Sequence, residues 1–243
     1  MMNKIFISII AFNFFLSNQG IALITKSKGD VEYFKNDGSV AEKNLKKGTS
    51  LFDQDRIATG ANGFAKYVYL DDGSVIKVHK NAEVYVLGAV DNRAIIKQVR
   101  VTDGNVKFEV SKQGSNEFTV VTPTSVATVK GTDFWLESDE DEGDSFFGLS
   151  GLVTVRNSES QTVEQLTRNT TITSRPDGQI NVKKTDLNDF KKLQRLELSA
   201  GEIDEDEFDE SVLEQQGDVP EGEIKIQLDD GSGSLKEIII KYK

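Results

Sequence analysis

From Leu23 to about Lys184 the chain is written in short apolar and β-branched runs, interrupted about every 8 to 12 residues by Gly, Asn and Asp turn signals. That spacing argues for an all-β domain of many short strands, folded as a twisted β-sandwich or a short β-solenoid-like roll. Phe64 to Leu70, the turn Asp71-Asp72-Gly73-Ser74 and Val75 to His79 read as a hairpin, because Asp-Gly supplies the positive φ of a tight turn. Counting by twos from Leu70 sets Val68 and Phe64 on one face to meet Ile76 and Val78, and turns Lys77 and His79 the other way. His79 is then expected as a solvated strand residue, and Tyr67 and Tyr69 as exposed aromatics opposite Val68. Gly104-Asn105-Val106-Lys107-Phe108 reads as a glycine turn entering another alternating strand.

The ends differ from this body. Lys4, the apolar run from Ile5 to Leu16, the polar Ser17-Asn18-Gln19 and the small residues of Gly20-Ile21-Ala22 form a secretory signal pattern, with removal expected after Ala22. The run is shorter than the roughly 20 residues a membrane span requires, so no permanent span is expected. Residues 23–184 are assigned to the β domain, 185–201 to a helix, 202–223 to an acidic linker and 224–243 to a C-terminal β-hairpin. Asp186 suits an N-cap, and Phe190, Leu193, Leu196 and Leu187 fall on one helical stripe, which packs a closing helix on the β domain. Lys191, Lys192 and Arg195 follow the acids of the first turn, as the helix dipole favours. The linker has too much like charge and too little apolar surface to offset its ordering entropy, so a flexible tether is expected there. Ile224 to Leu228 and Leu235 to Tyr242, around a Gly/Ser loop, spell the hairpin.

The landmarks Leu45-Lys46-Lys47-Gly48, Leu51 to Gly60, Leu70-Asp71-Asp72-Gly73-Ser74, Thr122 to Phe134 with the dipeptide Gly131-Thr132, and Gly151 to Val155 occur in an order similar to that of the FecR domain. The resemblance runs from about Gly29 to Thr173. It implies an extracytoplasmic β module, which in the regulators that name the family sits outside the membrane, joined by one helix to a cytoplasmic anti-sigma segment. A chain expected to begin with a signal peptide departs from that plan, so direct control of a sigma factor is not implied. Gly131 is expected at a bend or bulge that re-aims the strand carrying Phe134 and Leu136. These landmarks specify a fold and demand no chemistry.

Composition removes most catalytic classes. There is no Cys, hence no disulfide framework, thiolate zinc site or thiol nucleophile, and His79 is the single histidine. Neither a Gly-x-Ser-x-Gly elbow nor a His-Glu-x-x-His pair is present, since Gly148 to Leu152 ends in leucine. No enzyme, no cofactor, and no catalytic, cofactor-binding or metal residue is therefore expected. Of the 40 acidic residues behind the net charge of -11, eleven lie between Ser199 and Glu223, which leaves 29 against 29 Lys and Arg elsewhere. No basic stripe survives that balance, so nucleic acid is not an expected partner. The acidic stretch Glu137 to Asp144 reads as a solvated hairpin loop, with Asp139, Asp141 and Asp144 as candidate calcium ligands in the competing reading. The expected function is a non-catalytic interaction module of the periplasm or exterior that senses or scaffolds in an envelope assembly, with an envelope protein as partner. The alternative is a glycan- or divalent-ion-binding module, supported by Tyr67, Tyr69 and the acidic loops.

Overall fold

The computed structural model describes residues 19–43, 45–91, 94–114, 117–204, 222–229 and 235–242. The signal pattern through Asn18 and the linker from residue 205 to 221 lie outside them. Seventeen strands build two layers that share one strand. In the first layer the spatial order is β4 (Ser50–Leu51), β1 (Ala22–Lys28), β6 (Phe64–Tyr69), β7 (Val75–Val78), the second half of β9 (Ala94–Glu109), β12 (Asp133–Asp139), β13 (Gly143–Ser150), β16 (Thr170–Ser174) and β17 (Ile180–Lys184). In the second it is β3 (Val40–Lys43), β2 (Val31–Phe34), β5 (Asp55–Thr59), β8 (Glu83–Asp91), the first half of β9, β10 (Phe118–Val121), β11 (Ser125–Val129), β14 (Val153–Asn157) and β15 (Val163–Leu166). All pairings are antiparallel except β9 with β10. The all-β expectation holds, in its sandwich form.

β9 makes the two layers one fold. Through Asp103 it pairs with β8, and from Gly104 onward with β7 and β12. Gly104 is thus a bend inside one long strand and not the entry turn read from the sequence. Its φ is +94°, and a Cβ there would stand 2.4 Å from the Asn81 carbonyl oxygen, so only glycine lets the strand cross between layers without strain.

The core fills the space between the layers. Phe108 stacks on Phe134 with centroids 4.8 Å apart, and Phe118 of the opposite layer meets Phe108 and Tyr69 edge-on at 6.3 and 5.8 Å. Each such buried ring contributes about 1.5–3 kcal/mol relative to exposure. Here the structure corrects the hairpin parity. Tyr67 lies opposite Ile76 and Ala65 opposite Val78, and directly opposed residues share a face. Tyr67 and Tyr69 are therefore core residues, 0% and 1% exposed, while Leu70, just past the strand, is 56% exposed.

The first layer is covered on its outer side by α1 (Leu187–Ala200). Asp186 caps it, accepting from the Asn188 amide at 2.7 Å, and Gly201 ends it in the left-handed region, its amide and that of Glu202 returning to the Leu198 and Glu197 carbonyls at 2.9 Å. Leu193 and Leu196 pack on Trp135 and Phe147, with Leu149 beside them. The closing-helix expectation holds, but Leu187 is 39% exposed and leaves the stripe, whose remaining buried positions are Glu197 and Ala200. The last turn carries no basic residue of its own. Its carbonyls are met by β1 instead, where Lys28 Nζ donates to Ser199 O and Lys26 Nζ to Gly201 O at 2.8 and 2.6 Å.

Ile21 and Ala22 are buried, the Ile21 amide donating to the Leu51 carbonyl at 2.8 Å and its carbonyl accepting from the Leu70 amide at 3.1 Å. Glu202, expected to open the tether, is pinned to Lys26, Lys66 and Lys77 at 2.8, 2.9 and 3.1 Å. The expected hairpin is present as β18 (Gly222–Asp229) and β19 (Leu235–Tyr242), which form a separate two-stranded sheet.

Candidate functional site

The densest polar constellation lies between α1 and the outer side of the first layer. Alternation in β7 and β9 directs Lys77, His79 and Lys107 away from the core, and α1 brings Glu197 down among them. Glu197 stands 2.7 Å from Lys107 Nζ, 3.2 Å from Lys77 Nζ and 3.1 Å from His79 Nε2. His79 Nε2 and Glu197 Oε1 have no other partner among the described residues. His79 is 1% exposed and packed between Phe64 and Trp135, with ring centroids at 5.0 and 4.7 Å. This corrects the solvated strand residue expected from sequence: the outward face was identified, its cover was not.

Electrostatics fix the charge states of this cluster. Burial alone would raise the Glu197 carboxyl, but the His79 contact and the Lys107 and Lys77 charges outweigh it and hold the pKa at about 2. Glu202 is likewise held at about 2, burial being overcome by Lys26, Lys66 and Lys77. For His79 burial wins and lowers its pKa, with Lys77 and Lys107 acting in the same sense against Glu197, so the imidazole is neutral at pH 7. Such a cluster can lock a helix onto a sheet. It presents no accessible base or nucleophile to a substrate.

The sequence landmarks are consumed by the fold in the same way. The Asp55 carboxylate accepts from the Tyr33 hydroxyl and, at 2.7 Å, from the Phe52 amide. Thr59 Oγ1 donates to the His79 carbonyl and accepts from the Ala82 amide at 2.9 Å. Asp72 accepts from the Ser74 amide and hydroxyl, both at 2.9 Å, and Lys97 ties Asp71 to β9 at 2.6 Å. Gly131 has φ +135°, and a Cβ there would lie 2.9 Å from Lys112 Cα, next to a register shift at Asp133/Phe134, as the bend reading requires.

The acidic stretch is the expected hairpin loop between β12 and β13, beside a groove of about 930 Å³. Its three candidate ligands do not converge. Asp144 is buried and accepts from Thr122 and Ser138 hydroxyls, its pKa raised by burial, while Asp139 accepts from the Asp141 and Glu142 amides within the turn. Among the described residues no group of three or more His, Asp or Glu could hold a metal ion.

The second layer's outer side has no covering element among the described residues. Tyr85, Leu87, Ile96, Gln98 and Arg100 of β8 and β9 line a shallow groove of about 460 Å³ there. Arg56 lies 3.8 Å from the Phe34 ring centroid and Arg100 5.6 Å from that of Tyr85. Ile96 and Val163 are 46% and 51% exposed on the same side. Sequence reasoning did not single this face out, because its Arg and aromatic residues, Phe34, Arg56, Tyr85 and Arg100, come from four different strands.

The arrangement defines a β-sandwich whose motif residues hold structure. Residues 55–147 match the family described as FecR protein. Two crystal structures of a candidate anti-sigma factor from Parabacteroides distasonis ATCC 8503, at 2.50 and 1.65 Å resolution, are similar to this chain, each with a TM-score of 0.48 and 24% identity over 57% of this chain. The similarity covers 64% of that protein, so this chain spans less than two thirds of it. No curated protein matches the chain. Among the described residues no helix is long and apolar enough to cross a membrane.

Proposed function

We propose that this chain is a non-catalytic, extracytoplasmic interaction module that binds an envelope protein through the outer face of β8, β9 and their neighbours. The observation that carries the reading is the contrast in polar chemistry. The potent groups, His79, Glu197 and the lysines around them, are buried in mutual contacts, whereas Tyr85, Arg100, Arg56 and Phe34 stand on an uncovered sheet face. Tyr, Phe and Arg are the residues enriched in protein interfaces, where their large rigid area binds at low entropic cost. The signal pattern supports the location, and the match to the FecR family supports a regulatory role.

The test is capture from an envelope extract with the wild type and with Tyr85→Ala and Arg100→Glu variants. The expected result is a stoichiometric protein retained by the wild type and lost by both variants at unchanged thermal midpoint. A partner held equally by all three proteins would overturn the assignment of the face.

A further inference from the structure

The outer side of the second layer is striped across its strands. The register sets Phe34 opposite Arg56, Arg56 opposite Tyr85 and Tyr85 opposite Arg100. It continues with Arg100 opposite Val121, Val121 opposite Val126, Val126 opposite Arg156 and Arg156 opposite Val163. Opposed residues share a face, so these residues form one row that crosses eight strands from β2 to β15. All of them are half-buried or exposed, whereas their chain neighbours Val86, Val99, Val120 and Val155 are buried in the core.

Charge is not balanced along this row. It holds three arginines and no acidic residue. Arg56 is paired with Glu83 at 2.6 Å, but Arg100 and Arg156 make no ion pair among the described residues. The adjacent row on the same side, through Gln98, Thr119, Thr128 and Thr154, is neutral. Neighbouring strands stand about 4.8 Å apart, which places Arg100 about 10 Å from Arg56 and about 14 Å from Arg156 along the row. Tyr85 fills the first gap, and Val121 and Val126 fill the second.

We propose that the partner meets this row with an acidic segment of polypeptide laid across the strands, its carboxylates on Arg100 and Arg156 and its apolar residues over Tyr85, Val121 and Val126. The inference rests on the functional reading of this face and extends the footprint from β8 and β9 to β14. Charge complementarity selects the occupant. A guanidinium takes a carboxylate in a two-bonded fork, and Arg beside Tyr is the chemistry enriched in protein interfaces. The apolar residues between the arginines select a polypeptide over a uniformly charged sugar chain, which would leave both valines uncovered.

The probe is a fluorescein-labelled synthetic peptide of repeated Glu-Val-Glu-Ser, titrated with the full chain and followed by fluorescence anisotropy. The expected result is saturable binding that salt weakens and that Arg100→Gln and Arg156→Gln each weaken about fivefold, the size of one exposed ion pair. Arg195→Gln removes an exposed cation on α1 and is expected to leave the Kd unchanged. Polygalacturonate, which carries its carboxylates on a sugar chain, is expected to bind more weakly than the peptide. No binding, an equal loss in Arg195→Gln, or tighter binding of polygalacturonate would each overturn the proposal. Failure of the functional reading is a separate result: where the envelope extract yields no partner, the peptide titration stands or falls by itself. If a partner is captured and Arg156→Gln holds it as well as the wild type does, the reading survives on β8 and β9 and the extension to β14 fails.

Discussion

On the outer side of the first layer, Lys77 and Lys107 of adjacent strands and Trp135 beyond them lie beneath α1. At the equivalent alternation in the second layer, Tyr85, Leu87, Gln98 and Arg100 keep contact with solvent. Both faces mix long polar chains with aromatic rings, so composition alone does not separate them. Position relative to a helix that begins at Leu187, far along the chain, does. Covering the first face turns its ions into a lock, because charges taken from water must be paired, whereas the second face keeps ions that water and salt can screen.

The largest expected difference between the faces is in side-chain truncation. Trp135→Ala removes a ring 2% exposed beneath α1 and is expected to cost about 3–5 kcal/mol, while Tyr85→Ala on the open face should cost under about 1 kcal/mol, both read from urea denaturation. Next comes charge. Glu197→Ala strands Lys107 and His79 under the helix and should cost about 3 kcal/mol; removing Glu83 from its half-exposed pair with Arg56, at 2.6 Å on the open side, should cost about 0–1 kcal/mol. Equal losses for the two charge variants would erase the distinction. At the strand shared by both layers, Gly104→Ala is expected to cost about 2 kcal/mol, from a left-handed φ and a backbone clash together.

A smaller effect is pH dependence. A carboxylate with a folded pKa depressed to about 2 contributes stability that is present above its unfolded value near 4.5 and is lost as pH falls through that window, which is the case for Glu197 and Glu202. His79, with its pKa lowered from 6.5, works in the same direction, since only the unfolded state binds a proton just below pH 6.5. Asp144, raised by burial, opposes them. The expected outcome is a urea midpoint that falls between pH 7 and 3, and falls less in Glu197→Gln; a midpoint equally steep in that variant would remove the cluster from the acid response.

Much of the fold was legible because turns and alternation are local. The β12–β13 loop, the Asp71–Ser74 turn, the bend at Gly131, the Asp186 cap and the terminal hairpin follow from residues that lie side by side in sequence. Facing was not legible in β6. Phe64, Lys66 and Val68 alternate with Ala65, Tyr67 and Tyr69, and both sets look apolar because α1 and the strap to Glu202 shelter the outer set as the core shelters the inner one. His79 failed for the same reason: its cover, Glu197, is 118 positions away along the chain. The open face was missed because Phe34, Arg56, Tyr85 and Arg100 lie on four separate strands and come together only when the layer is assembled.

Native-state amide hydrogen exchange along α1 tests most directly whether the first face is core and the second is surface. The account predicts that amides from Leu193 to Ala200 open with the same free energy as those of β7 and the second half of β9, because the helix leaves only when the layer beneath it unfolds. Exchange of those helical amides at a free energy near zero, with β7 and β9 still fully protected, would show that α1 is a loose appendage and that both faces of the sandwich are surface.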